Sequence, residues 1–420
     1  MELLRTVESD VLLNRYKNIR QWTEKFCLPL HPEDMVAQPI MDVSPAKWHL
    51  GHTTWFFETF VLKKFVPNYR LFDRNFGYVF NSYYDSVGNR IDRGSRGLLV
   101  RPTTQRIYEY RDYVDRYMFD FLQKGDVAEE AYSFIELGLN HEQQHQELLV
   151  TDIKYVLGNN PLYPSYHAAE VVDQKPVPEG QPEYSAIADG IYEIGFVGDA
   201  FCYDNEKPLH KVYLNDFQVR NKLVTNGEYL AFIEDGGYAD HRHWLTEGWA
   251  MVQQEKTVAP LYWLEQDGQW MEYSLSGLKP VQLDEPVSHV SFYEADAFAR
   301  WAGKRLPSES EWEVAACKLK PDMDNANFFD SQLLHPMPAT RGNTQLFGDV
   351  WEWTYSAYHP YPGYKKAEGA LGEYNGKFMV NQMVLRGGSC ATPSEHFRLT
   401  YRNFFHADKR WQFTGIRLAQ

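Results

Sequence analysis

Cysteine is scarce and scattered in this chain. Cys27, Cys202, Cys317 and Cys390 are widely spaced and form no C-x-x-C pair, so neither a disulfide framework nor a cysteine-built zinc site is indicated. Positive charge is in deficit: 42 Lys and Arg stand against 57 Asp and Glu, a net charge of −15. That balance argues against nucleic acid and anionic membrane surfaces as partners. No run of about 18 apolar residues exists, so no spanning helix is expected. The opening Met-Glu-Leu-Leu-Arg-Thr-Val-Glu is acidic and amphipathic, unlike a secretory leader. A cytoplasmic protein is the expectation. Internal repeats and low-complexity runs are also lacking.

Apolar residues are plentiful, at 44% of 420, enough for two domains with cores of their own. The chain changes character near residue 165. Before it, apolar periodicity predicts helices over about 8–27, 44–65, 102–124 and 127–157. Ser44 is placed to cap the second, with Pro45 in its first turn. Gly158-Asn159-Asn160-Pro161 stops the fourth. Four such helices read as a bundle, a form that builds metal sites from facing helices. The connection over 66–101 is long for a bundle, aromatic and Arg-rich, which points to function. Residues 166–188 carry Pro176, Pro178, Gly180 and Pro182 and read as a linker. From 189 to 420 the pattern is short strands, many Gly and Trp, and two short helices. The fold class is therefore α+β: a four-helix bundle over 1–165, a linker, and a strand-rich domain over 189–420.

The chemistry is concentrated in histidines. His141 and His145 lie in N-H-E-Q-Q-H-Q-E-L-L (140–149), inside the fourth helix. Residues four apart on a helix point about 40° apart, one turn along, so both imidazoles can chelate one ion. His52 lies in W-H-L-G-H-T-T-W-F-F-E (48–58) on the second helix. Three imidazoles on Fe, Zn, Cu or Ni leave open positions, which signals chemistry rather than a structural plug. Glu147 points about 200° around the helix from His145 and is not expected to ligate. H-E-Q-Q-H also matches a zinc-peptidase pattern with Glu142 as general base, though no third ligand follows on a next helix. A ligand-binding module with an inert bundle is the other alternative.

The second half carries five motifs in order: P-V-S-H-V-S-F-Y-E-A (286–295), G-K-R-L-P-S-E-S-E-W-E (303–313), G-D-V-W-E-W-T (348–354), L-R-G-G-S-C (385–390) and T-G-I-R-L-A (414–419). Ser308 and Glu311 read as a capping box, and Gly387-Gly388 as a tight turn. Together these motifs resemble the formylglycine-generating-enzyme-like domain of C-type-lectin-like fold. Most of their residues read as structural. The copper-binding cysteine pair of the formylglycine-generating enzyme has no counterpart in Cys317 and Cys390.

The helical half resembles a DinB-like bundle. The two halves together resemble the ergothioneine-type sulfoxide synthases. That resemblance implies non-heme Fe(II) held by His52, His141 and His145. It implies O₂ as co-substrate, and a thiol joined to C2 of the imidazole of hercynine as a sulfoxide. Carbon–sulfur bond formation removes two electrons and sulfoxidation two more, matching four-electron reduction of O₂. The resemblance gives Gln144 a contact to hercynine. It places active-site tyrosines in F-N-S-Y-Y-D (80–85), where Tyr84 or Tyr83 would donate a proton or hydrogen atom. Arg93 and Arg96 follow on the same loop, and Arg forks suit the carboxylate of the thiol donor. In members using γ-glutamylcysteine the segment matching 402–405 reads R-N-W-D. Here Asn403 is kept, in reach of the hercynine carboxylate, while Phe404 and Phe405 replace the Trp and the Asp. Losing that carboxylate favours free cysteine as donor. Histidine with cysteine (ovothiol-type) and hercynine with a selenosugar (selenoneine-type) remain as alternative pairs.

Overall fold

The computed structural model describes residues 2–125, 127–168, 183–339, 344–366, 372–373 and 375–420, with side chains from Asp10 onward. Most of the expected linker, 169–182, lies outside the described residues. The chain divides into two compact units, one of Met1–Tyr166 with Gly369–Tyr374, the other of His167–Glu368 with Asn375–Gln420.

The first unit is helical. Its elements are α1 (Glu2–Cys27), α2 (Ala46–Phe57), α3 (Lys63–Phe65), α4 (Phe76–Phe80), α5 (Thr104–Gln123) and α6 (Glu129–Gly158). Glu58–Leu62, between α2 and α3, winds as a π-helix, a form frequent at functional sites. Its Glu58 carboxylate accepts from the Tyr69 and Tyr110 hydroxyls and the Phe72 N–H. The Thr103 hydroxyl caps α5 by accepting from the Arg106 N–H. At α2 the expected Ser44 cap is corrected: Pro45 holds that position without a side-chain cap. The Ser44 N–H instead donates to Asp152, and its hydroxyl accepts from Arg96. The long 66–101 connection contains α4 and a 3-10 stretch, Arg93–Leu98.

Between α1, α5 and α6 lies a buried charge cluster. Glu142 is fully buried and accepts from Arg20 (2.9 Å), Arg111 (2.6 Å) and the Thr23 hydroxyl (2.7 Å). Burial alone would raise its pKa. The Arg111 and Arg20 guanidiniums outweigh it and hold the carboxyl at about 2. Arg20 also donates to Asp115, which accepts from the Tyr16 hydroxyl.

Among the described residues, the second unit has four small sheets and four α-helices rather than the two helices expected. Strand β1 (Tyr184–Ile187) pairs antiparallel with β4 (Phe217–Arg220), and β2 (Gly190–Ile194) with β3 (His210–Leu214). The linker expected to run to 188 therefore ends before Tyr184. Helices α7 (Asn226–Glu234) and α8 (Thr246–Glu255) precede a meander of β5 (Trp263–Gln266), β6 (Gln269–Ser274) and β7 (Gly277–Pro280). Helices α9 (Phe292–Trp301) and α10 (Glu309–Leu319) follow. Ser308–Glu311 forms the expected capping box, and Thr225–Glu228 and Ser291–Glu294 form two more. The last sheet joins β8 (Trp351–Ala357), β9 (Met383–Arg386), β10 (Asn403–Phe405) and β11 (Thr414–Gly415) in the order β10-β9-β8-β11.

Four of the five sequence motifs meet around buried Glu352. It accepts a two-pronged ion pair from Arg417 (2.7 Å to each oxygen) and the Trp312 indole N–H at 2.6 Å. Arg386 pairs with Glu313 alongside. Gly387 and Gly388 have φ of +100° and +77°. A side chain on Gly388 would meet the Phe328 ring at 2.8 Å. The polar groups of these residues are engaged within the fold.

Glu142→Gln removes the buried carboxylate that two guanidiniums share, leaving Arg20 with Asp115 and Arg111 with the partly exposed Glu24. It is expected to lower stability by about 3–5 kcal/mol, read by denaturant unfolding. Because the folded pKa is depressed, this stabilisation is present above the unfolded value near 4.5 and lost as pH falls toward 2. The wild type should lose stability over that window more steeply than the variant. Equal stability of the two proteins at pH 7 would show that Glu142 is not structural.

Candidate metal centre

Helices α2 and α6 bring His52, His141 and His145 together. One ring nitrogen from each lies within 4.8 Å of the other two, and all three residues are buried. The Nε2 atoms of His52 and His141 are 3.1 Å apart. Two nitrogens about 2.1 Å from one ion, at angles of about 90–110°, lie about 3.0–3.4 Å apart, so the pair fits a shared ion. The His52 Nδ1 lies 2.6 Å from the Phe80 carbonyl oxygen. Donation to that oxygen puts the proton on Nδ1 and leaves Nε2 bare. Burial drives all three imidazoles toward the neutral form. It pushes His141 down to about 3, and His52 and His145 well below their usual value. Mutual repulsion with neighbouring imidazoles adds to the effect at each, although Glu142 partly opposes it at His141. Three neutral, converging nitrogen donors are the set a divalent transition metal takes.

Aromatic rings enclose the cluster. His52 stacks on Trp48 (4.6 Å, 12°) and on Trp55 (5.7 Å, 17°). His141 packs on Phe56 at 5.0 Å. Trp48 carries Arg96 on its ring, with the guanidinium carbon 3.4 Å from the centroid. Arg96 is buried and donates to the Ser44 and Ser82 hydroxyls. Burial, with Arg93 nearby, lowers its pKa to about 9. Its Nε has no hydrogen-bond partner among the described residues.

The other expected site residues fall as follows. Tyr84 is wholly buried against Trp55, Phe56 and Phe60. Burial keeps its phenol protonated, with the pKa pushed well up. Tyr83 is half-buried, its ring 4.8 Å from that of Tyr84. Gln144 is half-buried on α6. Arg93 is exposed and donates to the Asp42 carbonyl. Asn403, Phe404 and Phe405 form β10 of the second unit. There Phe404 stacks on Tyr358 (4.0 Å, 10°), Phe405 packs on Trp411, and the Asn403 side chain accepts from the Phe404 N–H.

Glu142 cannot serve as the general base of a peptidase, because two guanidiniums and the Thr23 hydroxyl engage its carboxylate. No disulfide joins the four cysteines. A second cluster, Glu272, Glu285 and His335, lies in the second unit, where Lys279 Nζ is 3.1 Å from His335 Nε2. Two residues that the sequence did not single out follow behind His145: His49 against its ring, and Asp152 against His49. Their signal was positional: His49 is three residues before His52, and Asp152 seven after His145, each on the ligand-bearing face of its helix.

Residues 168–420 match the family model of the sulfatase-modifying factor enzyme 1-like domain. The hercynine oxygenase of Mycolicibacterium smegmatis is 33% identical over 313 residues, 67% of this chain and 70% of that protein. That of Mycobacterium tuberculosis is 34% identical over 323 residues, 70% of this chain and 73% of that protein. Ergothioneine biosynthesis protein 1 of Schizosaccharomyces pombe is 28% identical over 231 residues, 52% of this chain and 28% of that protein. The class is an oxygenase, an oxidoreductase in which a helical region precedes a sheet-containing domain. The chain belongs to the hercynine oxygenase family.

Gly51 lets the Phe80 segment close on α2, for a β-carbon there would stand 2.3 Å from the Phe80 ring. Gly51→Ala therefore displaces the carbonyl that orients His52. It should cost about 1–3 kcal/mol of stability and weaken binding of a divalent metal, checked by thermal unfolding and metal titration. Wild-type values for both would show that the Phe80 contact does not set the site.

Proposed function

We propose that this protein is an Fe(II)- and O₂-dependent sulfoxide synthase that joins the sulfur of cysteine to C2 of the hercynine imidazole. The observation that carries the reading is the buried triad His52, His141 and His145, offered as neutral donors on two helices. The names of the relatives support the hercynine substrate. The overall reaction balances: hercynine, cysteine and O₂ give the sulfoxide and one water, with the C2–H and S–H bonds lost and four electrons passed to O₂. Bound ferrous iron supplies a meeting point for thiolate, imidazole and dioxygen, and the electrons that start the reaction.

The chain's own residues do the rest. The three imidazoles hold the ion and leave further positions open. Trp48, Trp55 and Phe56 exclude water around the rings. Arg96, stacked on Trp48 with a buried Nε still to donate, supplies a fixed cation for the carboxylate of the thiol donor. Arg93 contributes from the same turn, and Gln144 takes the hercynine side. Tyr84, kept protonated by burial, is the proton donor, with Tyr83 against its ring. Asn403 is assigned to the hercynine carboxylate. Phe404 and Phe405 offer no charge to a γ-glutamyl amine, which favours free cysteine. Among the described residues no helix is long and apolar enough to cross a membrane. A cytoplasmic location completes the reading.

The test is O₂ uptake with mass spectrometry on the Fe(II)-loaded protein. Hercynine is offered with cysteine, γ-glutamylcysteine or a selenosugar, and histidine with cysteine. Hercynylcysteine sulfoxide, formed fastest from free cysteine, is the expected product. His141→Ala should retain the fold by circular dichroism and lose both iron and product. No coupling with any donor, with zinc or no metal bound at the triad, would overturn the proposal.

A further inference from the structure

His49 and Asp152 extend the triad by two side chains that the proposed reaction does not use. The Nδ1 of His49 lies 2.9 Å from the Nδ1 of His145, and its Nε2 lies 3.0 Å from Asp152 Oδ2. The same carboxylate oxygen accepts the Ser44 N–H at 2.8 Å. His49, His145 and Asp152 are all buried, so water does not compete for these bonds.

With neutral rings, one polarity satisfies every atom. The carboxylate of Asp152 has no proton to give, so His49 donates to it from Nε2. A neutral His49 then has a bare Nδ1, which accepts, and the donor is the Nδ1–H of His145. His145 is thereby held in the tautomer whose Nε2 carries a lone pair. The reverse polarity sets a bare Nε2 of His49 against the carboxylate and places a proton on the His145 atom that must ligate. Ser44 fixes the far end of the chain, because its N–H orients the Asp152 oxygen.

We propose that Asp152 and His49 are positioning residues, a carboxylate–imidazole–imidazole chain that fixes the tautomer and ring orientation of His145 and so sets the metal affinity of the triad. The inference rests on the metal-centre reading above. A carboxylate or carbonyl behind a metal-bound imidazole is a general device. Here the Phe80 carbonyl serves His52 directly, while His145 is served through an intervening ring.

The test uses the full chain, stripped of metal and titrated with Co(II), whose ligand-field bands report the ligand geometry. His49→Phe keeps a ring of similar shape but removes both bonds. It is expected to weaken Co(II) binding 10–100-fold and shift the bands. His49→Gln can accept from His145 through its carbonyl and donate to Asp152 through its amide, and is expected to recover most of the affinity. A purely space-filling role predicts the opposite order, with Phe better than Gln. Nitrogen-15 NMR of histidine-labelled metal-free protein should show His145 protonated at Nδ1, and Asp152→Asn should erode that preference. Should His49→Phe fail to fold, Asp152→Asn decides, since its amide oxygen still accepts from Ser44. Wild-type affinity and bands in both variants overturn the inference while leaving the metal centre intact. A wild type that binds no Co(II) overturns the metal-centre reading and this inference with it.

Discussion

Three imidazoles with ring nitrogens inside 4.8 Å of one another, in a core without exposed surface, impose a strict electrostatic condition. An imidazolium there would lose its hydration and face two more rings at close range, a cost that folding cannot offset. The rings are therefore neutral, and three lone pairs converge. Lone pairs crowded together repel unless something positive stands between them, so the arrangement asks for a cation. The surroundings answer the same condition. The buried cation Arg96 lies against the Trp48 ring, on which His52 also stacks. The side of each ring that turns away from the centre is given an acceptor where the fold can supply one, the Phe80 carbonyl for His52 and His49 for His145.

What was legible in the sequence follows from which of these demands is local. The spacing of His141 and His145 is a property of one helix, and periodicity alone puts them on one face. His52 belongs to a second helix, so no spacing along the chain ties it to the others; its own motif made it a candidate, and the resemblance to a known family implied all three as ligands. His49 lies in the same quoted motif, three residues away, yet a lone helical histidine has no visible purpose until α6 is packed beside it. Asp152 is the same case on the other helix. Ser44 was misread because its cap role and its actual partner compete for the same residue. The sequence displays the cap preference, while the Arg96 guanidinium that donates to the Ser44 hydroxyl comes from the distant 66–101 connection. Two short helices were expected in the second unit where four are described, although the Thr225–Glu228 capping box was there to be read.

The second unit shows why its motifs could be recognised from sequence. Glu352, Arg417, Trp312, Arg386 and Glu313 come from four separate motifs and satisfy one another in the core. A small-sheet fold with many loops buries few continuous apolar faces, so a charged hub takes over part of the work of fixing the chain's path. Such a hub tolerates few replacements, since removing one partner strands another charge out of water. Phe404 shows the contrasting case. It lies flat on Tyr358 at the surface end of the last sheet, where side-chain identity can change without disturbing the hub.

The charge cluster around Glu142 has a similar bearing on the metal centre, although it touches none of the ligands' coordinating atoms. Helix α6 offers its histidines from one face and Glu142 from another. An atom about 5–6 Å from a helix axis, the outer radius of a helix with its side chains, moves about 1.5 Å when the helix turns by about 15°. That is most of a metal–nitrogen bond of about 2.1 Å. Apolar packing alone is non-directional and permits such small rotations at modest cost. The two guanidiniums and the hydroxyl that hold Glu142 do not, because each bond has a preferred length and angle. Arg20 reaches from α1 and Arg111 from α5, so α6 is gripped from two directions at the residue next to His141. The H-E-Q-Q-H motif thus has two roles on two faces: its histidines hold the ion, and its glutamate fixes the angle from which they reach it.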